Sequence, residues 1–230
     1  MKKLGIVGGI GPESTLEYYK GIIQGFRKRT GEDQYPRMII DSLDLSEMYD
    51  YAAKKQWEPF IGRLVGSINA LAAGGADFAV IAANTAHIVF DEVRKDSPLP
   101  LISIVEETCK YAKSKSCERV VVFGTAFTMR SGLYTRAFEK YGIEAFVPDE
   151  QEQEAIHKII FPNLEAGIVL EEEKRKILEI ANRNLSLRKA DALVLGCTEL
   201  PLIIKREDLD VMVLDTTKIH IEAILDSMLG

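Results

Sequence analysis

Residues able to do chemistry gather in two short stretches, "GCTEL" (196–200) and "AANTAH" (82–87). Each closes an apolar run, "ALVLG" or "FAVIA", with the length and composition of a buried strand. In the first, a thiol, a hydroxyl and a carboxylate follow one another as Cys197, Thr198 and Glu199. A cysteine at a strand end, just before a helix start, meets unpaired backbone N–H groups and the positive end of the helix. Both lower a thiol pKa from about 8.5, so the pattern predicts a Cys197 thiolate accessible near neutral pH. Such a group takes and returns protons as a general acid or base. Buried free cysteines elsewhere are small apolar fillers, the reading for Cys109 and Cys117 beside or within a helical run.

The second stretch supplies donors. Asn84 and Thr85 can hold a carboxylate through side-chain and backbone groups, and both residue types also cap helices. His87, two positions beyond Thr85, is expected to point away from a ligand held there. Position 83 is alanine, which can neither give nor take a proton.

The elements that must position these residues are strand-like runs at 4–8, 37–41, 78–82, 100–103, 119–124, 143–147, 192–196 and 211–215. Helix-length amphipathic segments separate them, one of which ends at the stop signal Gly74–Gly75. Near-continuous apolar strands alternating with helices predict an α/β fold with mainly parallel sheets covered on both faces. The pattern also repeats. "IVGGIGPES" (6–14) has its analogue in "VFGTAFTMRS" (122–131), and "AVIAANTAH" has its analogue in "ALVLGCTEL". Gly8 and Gly124 lie 116 positions apart, and Ala83 and Cys197 lie 114 apart. Offsets this similar, each near half the chain, predict two pseudo-symmetric domains. The boundaries are drawn at 1–97 plus 208–230 for the first and 98–207 for the second. Two such halves facing each other would place a ligand site in an interdomain cleft, at the carboxyl ends of both sheets, with positions 83 and 197 as counterparts.

Composition excludes several classes. A net charge of −6 argues against a general nucleic-acid binder. The basic runs at 27–29 and 174–176 sit among acids in helical patterns and read as solvated faces. The apolar stretch after Met1 is too short for a signal peptide, and no run approaches the ~20 residues of a membrane span. Three cysteines without metal-type spacing and three scattered histidines point to no metal and to the cytoplasm. "GGIGPES" has Ser14 in place of the third glycine of a dinucleotide loop, and Glu13 would repel a phosphate. It reads instead as a tight strand-to-helix turn with Pro12 at the first helical position.

"LGIVGGIGPESTLEYY", "ANTAH…FDEV" and "GCTEL", with "VVVFGTAFTM" and the closing "LDTT…H", resemble the aspartate/glutamate racemase family over essentially the whole chain. The resemblance implies a homodimeric, cofactor-independent enzyme that racemises amino acids with one acid/base residue from each pseudo-symmetric motif. It implies Cys197 as one acid/base and Ala83 in the place of the other, with Ile10, Asn84, Thr85, Thr198 and Glu199 at substrate-contacting positions. Family members usually carry Cys, or in some cases Thr, where this chain has Ala83. Thr85 or a bound water is then the expected stand-in on that face. The alternatives are a one-cysteine enzyme of the decarboxylase type and a non-catalytic binder of amino acids or carboxylates. Ala52 stands where acid-specific members can carry Gln, which implies a broader substrate range, and Arg130 is a candidate distal cation.

Overall fold

The computed structural model describes residues 1–31 and 33–230, and among these eight strands alternate with helices. Two compact units emerge, Met1–Ile104 with His220–Gly230, and Val105–Ile219. The first is built from β1 (Leu4–Gly8), α1 (Pro12–Thr30), β2 (Met38–Ser42), α2 (Leu45–Ala53), α3 (Trp57–Ala73), β3 (Phe78–Ile81), α4 (Phe90–Asp96) and β4 (Leu101–Ile102). The second is built from α5 (Ile104–Ser114), β5 (Arg119–Phe123), α6 (Ala126–Arg130), α7 (Leu133–Glu139), β6 (Glu144–Phe146) and α8 (Glu150–Ile159), then α9 (Glu171–Arg188), β7 (Ala192–Leu195), α10 (Leu200–Ile203) and β8 (Met212–Asp215). Helix α11 (Thr216–Leu229) then carries the chain back to the first unit.

All strand pairs are parallel, and the two four-stranded sheets have matching orders, β2-β1-β3-β4 and β6-β5-β7-β8. The internal repeat carries through to register. Val7 pairs with Ile81, and Phe123 pairs with Leu195 at the same 116 and 114 offsets. All eight predicted strands are present, with ends moved by at most one residue.

The domain boundaries differ from those drawn on the sequence. β4, placed beyond the first boundary, pairs with β3, and β8, assigned to the first domain, pairs with β7 along its whole length. Each sheet takes the next strand along the chain onto its open edge. Only α11 returns, so the boundaries fall at 104/105 and 219/220.

Strand alternation divides the first sheet between two cores. Leu4, Ile6 and Val80 pack with Tyr18 and Ile22 of α1 and Leu225 of α11, while Val7 and Ile81 pack with Leu64, Ile68 and Leu71 of α3. In the second sheet Phe123, Leu193 and Leu195 meet Ile156 of α8 and Ile177 of α9. Each such fully buried aliphatic side chain contributes roughly 1.5–3 kcal/mol. Local signals set the helix ends. Pro12 opens α1, Asp149 and Glu152 form a reciprocal cap on α8, and Gly75 at φ 81 follows the end of α3. No helix among the described residues is long and apolar enough to cross a membrane.

Candidate active site

In the first unit the turn after β3 runs through Ala83 and Asn84 into a single 3-10 turn, Thr85–Val89. Ala83 and Asn84 are buried, and Thr85 is partly exposed. Ile10 lies in the neighbouring β1–α1 turn and packs against the same core as Ala83. Gly9 makes that turn possible. Its φ is 79°, and a Cβ there would come 2.2 Å from the Leu43 carbonyl oxygen. Its N–H donates to Thr15 Oγ1 at 2.9 Å, and Ser14 Oγ donates to the Ala82 carbonyl at 2.7 Å. The four sequence-predicted residues of this half are thus gathered at the carboxyl end of one sheet.

His87 is buried beneath them. The Ile104 N–H donates to its Nε2 at 3.3 Å, which leaves the proton on Nδ1 to be donated to the Ala83 carbonyl oxygen at 2.8 Å. Burial pushes its pKa down to about 4, so the ring is neutral and serves to fix the backbone at 83. A second buried imidazole, His220, stands edge-on to it with centroids 6.5 Å apart. His220 donates from Nε2 to the Ile102 carbonyl at 3.1 Å and accepts from the Tyr18 hydroxyl at 2.6 Å. Burial and the neighbouring His87 hold its pKa at about 3.

In the second unit the equivalent turn follows β7. The Gly196 N–H donates to the Phe123 carbonyl at 2.7 Å, and a Cβ at 196 would lie 2.9 Å from that oxygen and 3.1 Å from the Tyr134 ring. This close approach requires glycine before the cysteine. Cys197 is 8% exposed, and its thiol donates to Glu199 Oε2 at 2.8 Å. Thr198 Oγ1 donates to the other oxygen, Oε1, at 2.7 Å.

The expected low thiol pKa is overturned. Burial pushes the Cys197 thiol well above its ordinary value, and the charge of Glu199 and its hydrogen bond to the thiol push the same way, with a contribution from Glu165. Backbone N–H at Glu199 pulls downward and does not prevail. The physical reason is first that the thiol is buried, and then that its neighbouring charge is a carboxylate, while α10 is one turn long and carries little dipole to oppose them. At rest the group is a thiol.

Two features escaped the sequence. Thr125 caps α6 by accepting from the Thr128 N–H at 3.1 Å, and the two hydroxyls are 3.0 Å apart. Thr125 comes two residues after Phe123, whose strand partner Leu195 comes two residues before Cys197. Its signal was the equivalence of 122–131 with the glycine turn of the first half. Glu165, which interacts electrostatically with Cys197 and Glu199, belongs to no motif. Arg130, offered as a distal cation, is instead exposed and pairs with Glu154 at 3.2 Å. Ala52 is half-buried on α2 against the first core. Cys109 and Cys117 are buried, as expected of fillers, and burial pushes the Cys109 thiol up to about 12.

Residues 7–224 match the family described as Asp/Glu/Hydantoin racemase. The chain belongs to that family. It is 24% identical over 217 residues to the broad specificity amino-acid racemase RacX of Bacillus subtilis (strain 168), covering 93% of this chain and 92% of that one. It is 30% identical over 177 residues to the glutamate racemase of Aquifex aeolicus (strain VF5), covering 76% of this chain and 66% of that relative. Among solved structures, an aspartate racemase homologue from Pyrococcus horikoshii OT3 superposes with a TM-score of 0.90 at 34% identity, with 100% of each chain covered. The Picrophilus torridus aspartate racemase gives 0.77 at 25% identity, covering 99% of this chain and 94% of that one. The paired parallel α/β units expected of an Asp/Glu racemase are the ones found.

Proposed function

We propose that this chain is an amino-acid isomerase of the racemase type, working without pyridoxal, in which Cys197 exchanges the substrate Cα proton. The observation that carries the reading is the hydrogen bond from the Cys197 thiol to Glu199. A thiol held well above its ordinary pKa needs a base beside it, and here one is in place. The thiol proton passes from Sγ to Glu199 Oε2. The resulting thiolate takes the Cα proton, leaving the bonding pair on the substrate as an enediolate-like anion. Return of a proton from Sγ–H to Cα, and of the Glu199 proton to Sγ, closes the cycle.

In this reading Asn84, Thr85 and the backbone N–H groups at the strand ends hold the α-carboxylate, where negative charge develops. Ile10 contributes apolar wall. Thr198, engaged with Glu199, orients that carboxylate. Ala83 leaves the opposite face without its own acid/base, so Thr85 or water serves there and exchange by Cys197 is one-sided or nearly so. Cytoplasmic residence and a homodimer belong to the same proposal.

Incubation with L- and D-amino acids in D₂O tests it. Deuterium at Cα of at least one enantiomer, lost in Cys197→Ala, is the expected result; exchange unaffected by that substitution would sink the assignment. The raised thiol pKa favours one competing reading, a non-catalytic amino-acid binder, which would give a ligand-dependent thermal shift with no exchange. Release of CO₂ from a malonate-type substrate would point to the decarboxylase alternative.

A further inference from the structure

Against the Cys197 turn lies a buried side chain that the proton chemistry does not use. Tyr134, the second residue of α7, is 1% exposed. Its ring edge runs along the backbone at Gly196, the residue before Cys197. A Cβ at 196 would meet Cε2 of the ring at 3.1 Å and Cδ2 at 3.6 Å. On another side the Gly196 N–H is taken by the Phe123 carbonyl at 2.7 Å. The backbone leading into the thiol is therefore held both by a hydrogen bond and by a rigid aromatic edge.

One residue earlier the same tyrosine acts through its hydroxyl. Thr216, fully buried, donates its Oγ1 proton to the Leu195 carbonyl at 2.8 Å. Having spent its one proton, it accepts from the Tyr134 hydroxyl, whose oxygen in turn accepts from the buried Thr108. Thr108, Tyr134 and Thr216 thus form a directed chain with no proton to spare, ending on the last residue of β7. Ring and hydroxyl together fix residues 195 and 196. Cys197 follows, with its thiol 2.8 Å from Glu199 Oε2.

The first unit supplies the comparison. Tyr18 precedes Tyr134 by 116 positions, the offset of Gly8 from Gly124, and its hydroxyl donates to His220 Nδ1 at 2.6 Å. Both units therefore bury a hydrogen-bonded tyrosine at the equivalent position. The counterpart of Gly196, 114 positions earlier, is Ala82, which packs in the same core as Tyr18. The turn without a thiol keeps room for a methyl group there; in the turn with one, the ring edge takes that room.

We infer that Tyr134 is a positioning residue for proton exchange by Cys197, fixing the backbone at 195 and 196 so that the thiol faces Glu199. This rests on the reading of Cys197 as the acid/base given above. The proton chemistry itself stays with Cys197 and Glu199.

Three variants of the intact chain test it: Tyr134→Phe, Tyr134→Leu and, as the control in the first unit, Tyr18→Phe. Each is read by thermal melting, by Cα deuterium exchange and by the rate at which iodoacetamide labels Cys197, followed on the Cys197 peptide by mass spectrometry. Loss of the ring in Tyr134→Leu should lower kcat for exchange by about ten- to a hundredfold and leave KM within about twofold, since the turn at 83–85 is untouched. Labelling of Cys197 should rise about tenfold as its turn loosens. Tyr134→Phe, which keeps the ring, should recover most of the kcat and raise labelling by only about threefold. Tyr18→Phe gives up a comparable buried hydrogen bond, so it should melt as Tyr134→Phe does and label Cys197 at the parent rate. Labelling at the parent rate in Tyr134→Phe, or in a folded Tyr134→Leu, overturns the inference. So does an equal rise in Tyr18→Phe, which would mean general loosening, or a raised KM at unchanged kcat. A parent that exchanges no amino acid overturns the acid/base reading, while the labelling arm still decides whether Tyr134 sets the thiol.

Discussion

The two units run the same four parallel strands in the same order, and they part company at one equivalent turn. After β7 comes a thiol hydrogen-bonded to a carboxylate; after β3 comes a methyl group whose carbonyl is held by a neutral imidazole. The difference separates what a strand-end turn needs in order to fold from what it needs in order to react. Folding is satisfied in both by backbone geometry: Ala82 N–H donates to the Val7 carbonyl at 2.9 Å, and Gly196 N–H donates to the Phe123 carbonyl at 2.7 Å. On the function proposed above, reactivity is an addition to that scaffold, supplied in the second unit and missing in the first.

The largest test of the contrast is to remove its active side. Cys197→Ala should lower Cα exchange by about a hundred- to ten-thousand-fold, the usual range for a general acid/base, as read by NMR in D₂O. Adding the missing side comes next. Ala83→Cys should convert exchange confined to one enantiomer into interconversion of both, followed by chiral chromatography. An inert variant on a panel of acidic, neutral and basic amino acids would mean that position 83 is not the counterpart of 197. The Glu199→Gln substitution should bring the thiol pKa down, because it removes a negative charge and an anionic acceptor, while burial keeps it above an ordinary thiol. The pH dependence of alkylation at Cys197 reads this directly.

The imidazole side of the contrast predicts an acid limit specific to the first unit. Folded His87 and His220 protonate only at about 4 and about 3, against an ordinary 6.5. Stability is full above pH 6.5 and falls as the pH drops toward those values, by roughly 3 kcal/mol for His87 alone. Amide exchange should show first-unit protection failing on acidification before that of the second, and His220→Gln should flatten the slope. The smallest effects lie in two strand-end clamps. Ser14→Ala breaks the bond to the Ala82 carbonyl and Thr216→Val the bond to the Leu195 carbonyl, each costing about 1 kcal/mol in denaturant unfolding.

Much of this was legible in the sequence because it is local or periodic. Apolar runs of strand length marked all eight strands, and the offsets of Gly8 to Gly124 and Ala83 to Cys197 foretold the shared sheet order. What escaped depends on partners distant along the chain or on side-chain direction. β4 and β8 are ordinary short strands, and only the open edges of β3 and β7 decide which sheet each joins. The Cys197 pKa turned first on how deeply the thiol is buried and then on where the Glu199 carboxylate points, neither of which is written in residue type. Glu165 follows Leu164, which shares a core with Cys197 through packing distant along the chain, so no motif announces it.

The last helix begins in the second unit and ends in the first, where Lys2 N–H donates to the Met228 carbonyl at 3.1 Å. The portion begun first on the ribosome is therefore completed last. Until Ile221, Ile224 and Leu225 emerge, one face of β1 has α1 as its cover and lacks the part that α11 supplies, while the later portion already holds all of its strands. Nascent chains stalled short of that helix should expose Leu4 and Ile6 to chaperones, with the thiol-bearing portion formed ahead of them.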